Sequence, residues 1–170
     1  MRLLVANCLI ALLVPVSGAA QSTPQGNAAA SQEQRVAEAE RAAIGALRAM
    51  NSAQASFQSS CGQGFYAPGL VELGKPPVAG ADGYLAPALT TGASVTKDGY
   101  TFKMASSEGA VATSKESCNG VPLVRGYYVT AMPVQGSGGR YFGTNTKAVI
   151  VHGHSPLRMT DQSADGTPIR

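Results

Sequence analysis

An apolar stripe at helical spacing runs through residues 31–60 and constrains the fold more than anything else in the chain. Ala43, Leu47, Met50, Gln54 and Phe57 recur at intervals of three and four, flanked by Ala39, Ala46 and Ala53 and extended by Ile44. That period places them on one face of an α-helix, the face that packs against another layer. Ser31 with Gln34 three residues on forms a capping box to open the helix. The hydroxyl accepts from the third helical N–H and the glutamine reaches back. Gly62 supplies a left-handed stop. Glu33, Arg35, Glu38, Glu40 and Arg41 make the first half a solvated one. The pattern predicts a helix roughly 42 Å long at about 1.5 Å per residue. Its second half lies on a sheet and its first half projects.

After Gly62 the period changes. Gly62 to Gly99 is loop-like, anchored by Tyr66, Leu70, Leu73, Tyr84, Leu85 and Leu89. Tyr100 to Met104 alternates with period two and reads as a half-buried strand, with Gly109 to Thr113 pairing weakly beside it. Gly126 to Val134 is a second strand, and Gly136 to Gly139 turns the chain. Arg140 to Thr144 and Ala148 to His152 form a hairpin around Asn145-Thr146-Lys147. Residues 31–160 therefore form one α+β domain, a long N-terminal helix packed on a four-stranded antiparallel sheet, followed by a polar C-terminal tail at residues 161–170.

Residues 1–20 read as an export signal. Arg2 gives the positive end, Leu3 to Val16 is apolar but for Asn7, Cys8 and Pro15, and Gly18-Ala19-Ala20 offers small residues before Gln21. The run falls short of the roughly 20 apolar residues of a membrane span. Residues 21–30, small and polar with Pro24 and Gly26, read as a flexible linker. Cleavage removes Cys8 and leaves Cys61 and Cys118, and such a pair in an oxidising compartment is expected to form a disulfide. The expected location is periplasmic or secreted, with no stable membrane anchor once the leader is removed.

The chemistry-bearing residues are few. His152 and His154, at i and i+2 on one strand, share a side with Ile150. Two imidazoles on one face begin a zinc or copper site, but a third ligand is required, and Asp161 serves only if the tail folds back. Gly153-His154-Ser155-Pro156-Leu157 lacks the closing glycine of a nucleophile elbow. Glu72, Asp82, Asp98, Glu108 and Glu116 sit in turns and form no acid/base pair in sequence. No catalytic residue, cofactor or metal is assigned. Lys and Arg number 13 against 10 Asp and Glu and are dispersed, so a nucleic-acid partner is not expected.

Several segments, taken in order, resemble a known family. Ala42-Ala43-Ile44-Gly45-Ala46-Leu47-Arg48-Ala49-Met50-Asn51-Ser52-Ala53-Gln54 resembles the second half of the long helix in type IV pilins and type II secretion pseudopilins. Gly64-Phe65-Tyr66-Ala67-Pro68-Gly69-Leu70-Val71-Glu72-Leu73-Gly74 is similar to the stretch that follows that helix. Leu85-Ala86-Pro87-Ala88-Leu89, Gly99-Tyr100-Thr101-Phe102, Tyr128-Val129-Thr130-Ala131-Met132-Pro133-Val134, Arg140-Tyr141-Phe142 and Ala148-Val149-Ile150 continue it. The leader departs from the family, because Leu3 to Ala20 has neither the Phe nor the Glu of a prepilin helix. The resemblance implies an exported, non-catalytic pilin-like headgroup that acts by protein binding or assembly, with pilin or secretion-system components as partners. Two alternatives accompany it: a membrane-tethered pilin or pseudopilin subunit if the leader is retained, and a metal-binding protein through His152 and His154.

Overall fold

A computed structural model of the chain describes residues 24–106, 115–135, 137 and 139–169. The leader, and the weak strand expected at residues 109–113, lie outside the described residues. The fold is α+β, one long helix against an antiparallel sheet.

Helix α1 runs Pro24–Ser60. The chain is already helical seven residues before the expected Ser31, which lies inside the helix, so residues 24–30 are helix rather than linker. Gly26 does not interrupt it, and Ala28-Ala29-Ala30, strong helix formers, lead on to Ser31. At about 1.5 Å per residue α1 is about 55 Å long. Its C-terminal part carries the buried stripe Ala43, Leu47, Met50, Ala53, Gln54 and Phe57, which packs chiefly on the sheet centre. The helix ends at Ser60 as expected, but Gly62 is not its left-handed residue. Gln63 and Gly64 take the left-handed conformation (φ 51° and 88°), and the Gly64 N–H returns to the Gln58 carbonyl at 3.0 Å. Gly62 is needed for room instead: a Cβ there would collide with the Phe65 carbonyl and the Phe57 ring.

Leu70–Leu73 forms a single helical turn, α2, whose two leucines are fully buried, and Pro87–Leu89 a 3-10 turn that buries Leu89. The strands follow: β1 Ser94–Lys97, β2 Tyr100–Ala105, β3 Tyr128–Pro133, β4 Tyr141–Asn145, β5 Val151–Gly153 and β6 Thr167–Pro168. They pair antiparallel in sequence order, so the sheet has six strands where the sequence pattern predicts four. The additions are the two edges. At one edge, β1 is paired through the Asp98-Gly99 turn, both residues at positive φ (48° and 80°). That geometry matches the right-handed twist of a two-residue hairpin. At the other edge, the expected polar tail folds back, with Thr167–Pro168 against β5 and the Ile169 N–H donating to Ile150 O at 2.9 Å. Ile169 packs against the core, which supplies the apolar reason for this return.

One face of the sheet meets α1 through Tyr100, Phe102 and Met104 of β2, Val129 and Ala131 of β3 and Phe142 of β4. The end of the helix is stapled as well. Cys61 and Cys118 form a disulfide, with Cα atoms 4.9 Å apart and a sequence separation of 57. The Cys118 N–H donates to Cys61 O at 3.1 Å. Tyr66 and Val124 exchange two backbone hydrogen bonds nearby, which ties the loop after α1 to the β2–β3 connection.

Candidate functional site

The projecting part of α1 leaves the sheet at Glu40, and a polar cluster forms there. Glu40 is one helical turn before Ala43, so it continues the buried stripe with a charge. Arg140, just before β4, meets it in a forked pair. Arg140 Nη2 lies 2.6 Å from Glu40 Oε2, its Nε 3.1 Å from both carboxylate oxygens, and its own backbone N–H donates to Oε1 at 2.9 Å. The guanidinium also sits 5.4 Å from the Phe142 ring centre. Tyr100 Oη donates to the Arg140 carbonyl at 2.8 Å. A Cβ at Gly139 would collide with that hydroxyl, so a side chain there would have to displace it.

These contacts set the protonation chemistry. Hydrogen bonds from the Arg140 guanidinium hold Glu40 below the usual glutamate range, against an opposing push from burial, and His152 adds a smaller charge effect. Arg140 is raised in turn by its hydrogen bonds to Glu40. Burial pushes Tyr100 up to about 12, with the Glu40 charge adding to it. Both oxygens of Glu40 are committed to Arg140, so the carboxylate works as an anchor between helix and sheet. It is not left open as a base. Its stabilisation is complete above the ordinary glutamate pKa and is lost as pH falls through the lowered value. Glu40→Gln is therefore expected to flatten the acid limb of the stability curve and to lower stability by about 1 kcal/mol at neutral pH. Urea unfolding at several pH values checks this, and an unchanged acid limb would contradict it.

A second polar network lies further along α1. Asn51 Oδ1 accepts from Tyr127 Oη at 3.1 Å and from Thr144 Oγ1 at 3.2 Å, and its Nδ2 donates to the Ala148 carbonyl at 3.2 Å. It holds the β4–β5 turn, where Ala148 has φ 56°, down onto the helix. Burial raises the Tyr127 hydroxyl far above the ordinary tyrosine range. A third clamp is fully buried: Gln54 bonds both polar groups of Ala67.

The sequence-predicted histidines are not brought together on a strand. His152 is in β5 opposite Phe142, with ring centres 6.4 Å apart, and its Nδ1 is buried without a partner among the described residues. His154 lies past the strand end, exposed in a bend. Asp161 folds back with the tail, but over Gly126. Among the described residues, no three of His, Cys, Asp and Glu group to hold a metal ion. No described helix is long and apolar enough to cross a membrane.

The chain matches no family model, no curated protein and no solved structure. The site must therefore be read from its own surfaces. A shallow groove of about 340 Å³ runs along the projecting helix, lined by Gln32, Glu33, Val36, Ala37 and Glu40. An open cleft of about 350 Å³ lies beside the C-terminal loop, lined in part by Asn145, Lys147, Val149, Val151 and Pro168. The groove directly continues the buried stripe beyond the sheet. The Glu40–Arg140 pair that bounds it is absent from the sequence reading. Its one signal is a glutamate in step with the apolar positions, and only the sheet register names the partner.

Proposed function

We propose that this protein is an exported pilin-like headgroup that acts by protein binding or assembly and not by catalysis. The observation that carries the reading is the overhang of α1. The helix has 37 residues, yet its buried stripe begins only at Ala43, and Glu40–Arg140 marks where it leaves the sheet. A half-apolar helix face without a layer beneath it among the described residues suits a protein partner. The order of elements, one long helix followed by an antiparallel meander, supports the same reading, and so does the run of segments that resemble pilin headgroups. The Cys61–Cys118 disulfide is consistent with a periplasmic or secreted location.

The tethered alternative, a pilin or pseudopilin subunit with its leader retained, is the second reading. Intact mass and fractionation of expressing bacteria decide between the two. The exported headgroup is expected to begin at Gln21 and to stay in the soluble periplasmic or secreted fraction. Full-length chain held in the membrane would replace it with the tethered subunit. A photo-crosslinking residue at Val36 tests the binding surface: discrete protein adducts are expected there and not at Lys103 on the open sheet face. Equal or absent crosslinking at the two positions would sink the role of the overhang.

A further inference from the structure

The two edges of the sheet are built differently. β6 has two residues, and Pro168 has no N–H to offer a neighbour. Such an edge is blunted against further pairing. β1 has neither proline nor bulge, and its register with β2 is continuous over Ser94–Lys97. The two-residue turn makes Lys97 and Tyr100 a hydrogen-bonded pair. By alternation Val95 and Phe102 are the next such pair. The N–H and C=O groups of Ser94 and Thr96 therefore point outward, and no described residue bonds to them. Lys97, the one charge on the strand, is neutralised within its own hairpin, its Nζ 2.5 Å from the Asp98 carboxylate.

We infer that β1 is a self-association edge, which pairs antiparallel with β1 of a second copy about a two-fold axis at Val95. In this register Ser94 faces the second copy's Thr96, and four backbone hydrogen bonds satisfy all the outward groups of both strands. A shift by one residue sets outward groups against inward ones. A shift by two moves half of them past the strand ends. Lys97 comes opposite Ala93, so no like charges meet. Val95 is already 4% exposed on the core side, and its partner valine extends that seam. On the open face Ser94 falls beside Thr96, which already bonds Thr101 through its hydroxyl at 2.9 Å. Pairing with β6 of the second copy is disfavoured, since Pro168 lacks the donor. The match is isologous and closes as a dimer. Four residues a side bury far less than the roughly 1,000 Å² of a lasting interface, so the association is weak and concentration-dependent.

Sedimentation of the purified chain up to about 1 mM tests this, since contacts of this size fall in the weak range. Wild type and Thr96→Val are expected to form dimers. Thr96→Pro, which removes two donors per dimer but leaves the inward pairs intact, is expected to weaken association by about thirtyfold. Wild type that stays monomeric throughout, or association that survives Thr96→Pro unchanged, would overturn the inference. If Thr96→Pro fails to fold, amide exchange of the wild type decides. The Ser94 and Thr96 amides should slow as concentration rises, while Val95 and Lys97 stay protected throughout; exchange at Ser94 and Thr96 independent of concentration also overturns it. None of these readouts depends on export or on the overhang of α1.

Discussion

Replacing Cys61 and Cys118 together by alanine is expected to lower the free energy of unfolding by about 4 kcal/mol. The size follows from the span of the staple. The bond closes a loop across a sequence separation of 57. Cross-linking a loop that long removes much of the freedom of the unfolded chain, and in the entropy model the benefit grows with its logarithm. Local geometry adds a second reason. Cys61 is buried at the helix end against Phe57 and its surroundings, whereas Cys118 is exposed in the β2–β3 connection. Without the bond, that connection is held by hydrogen bonds such as Cys118 N–H to Cys61 O, the Tyr66–Val124 pair and Gln63 Nε2 to Glu116 O, and by the buried Val121 and Leu123. Small domains are stable by about 5–15 kcal/mol, so the loss is a large share. Equilibrium urea unfolding of the double variant measures it, and wild type under strong reductant should reproduce the value, because the exposed Cys118 admits the reagent. A difference below about 1 kcal/mol would show that unfolded-state freedom is not what the bond restrains.

Gln54→Leu is expected to cost about 2–4 kcal/mol although it adds an apolar side chain to an apolar core. Gln54 is 0% exposed. Its Nε2 donates to Ala67 O at 2.8 Å and its Oε1 accepts from Ala67 N–H at 3.0 Å. Ala67 is itself fully buried, so leucine strands a donor and an acceptor with no water to replace the glutamine. The same amide lies 3.2 Å from Met104 Sδ, so the clamp also joins α1 to β2. Gln54→Glu separates polarity from packing. A neutral carboxyl can serve both Ala67 groups, but a buried carboxylate faces the Ala67 carbonyl with no cation beside it. Burial raises such a group's pKa, so its stability is present at low pH and lost as pH rises. The deficit of Gln54→Glu should therefore shrink on acidification while that of Gln54→Leu does not. Parallel pH responses of the two variants would contradict the account.

The reading of residues 43–60 as a helix seated on a sheet rests on a period, and a period is local information. The same holds for β2, β3 and β4, whose alternation is written into Tyr100 to Met104, Tyr128 to Pro133 and Arg140 to Thr144. β1 was legible in principle. Asp98-Gly99 between two alternating runs is a strong hairpin signal, but four residues among many glycines and prolines resemble loop. β6 left almost no trace, since Thr167–Pro168 is a poor strand by composition and is held by Ile169 against a core assembled from distant residues. Residues 24–30 are helical although Ser31 and Gln34 match a capping pattern, because that pattern is met equally well inside a helix where no cap is needed.

The candidate site shows the same division. Glu40 and Arg140 are 100 residues apart, and nothing near either names the other. The two histidines that look paired in sequence are separated because β5 ends at Gly153, one residue before His154. Spacing along the chain was enough to specify the helix face, four of the strands and, through the cysteine count, the disulfide. Each depends on neighbours within a few residues or on a choice of one pair. The sheet's edges, the Glu40–Arg140 anchor and the length of helix left uncovered were decided only when the layers met. Register and packing bring together residues that no local rule relates.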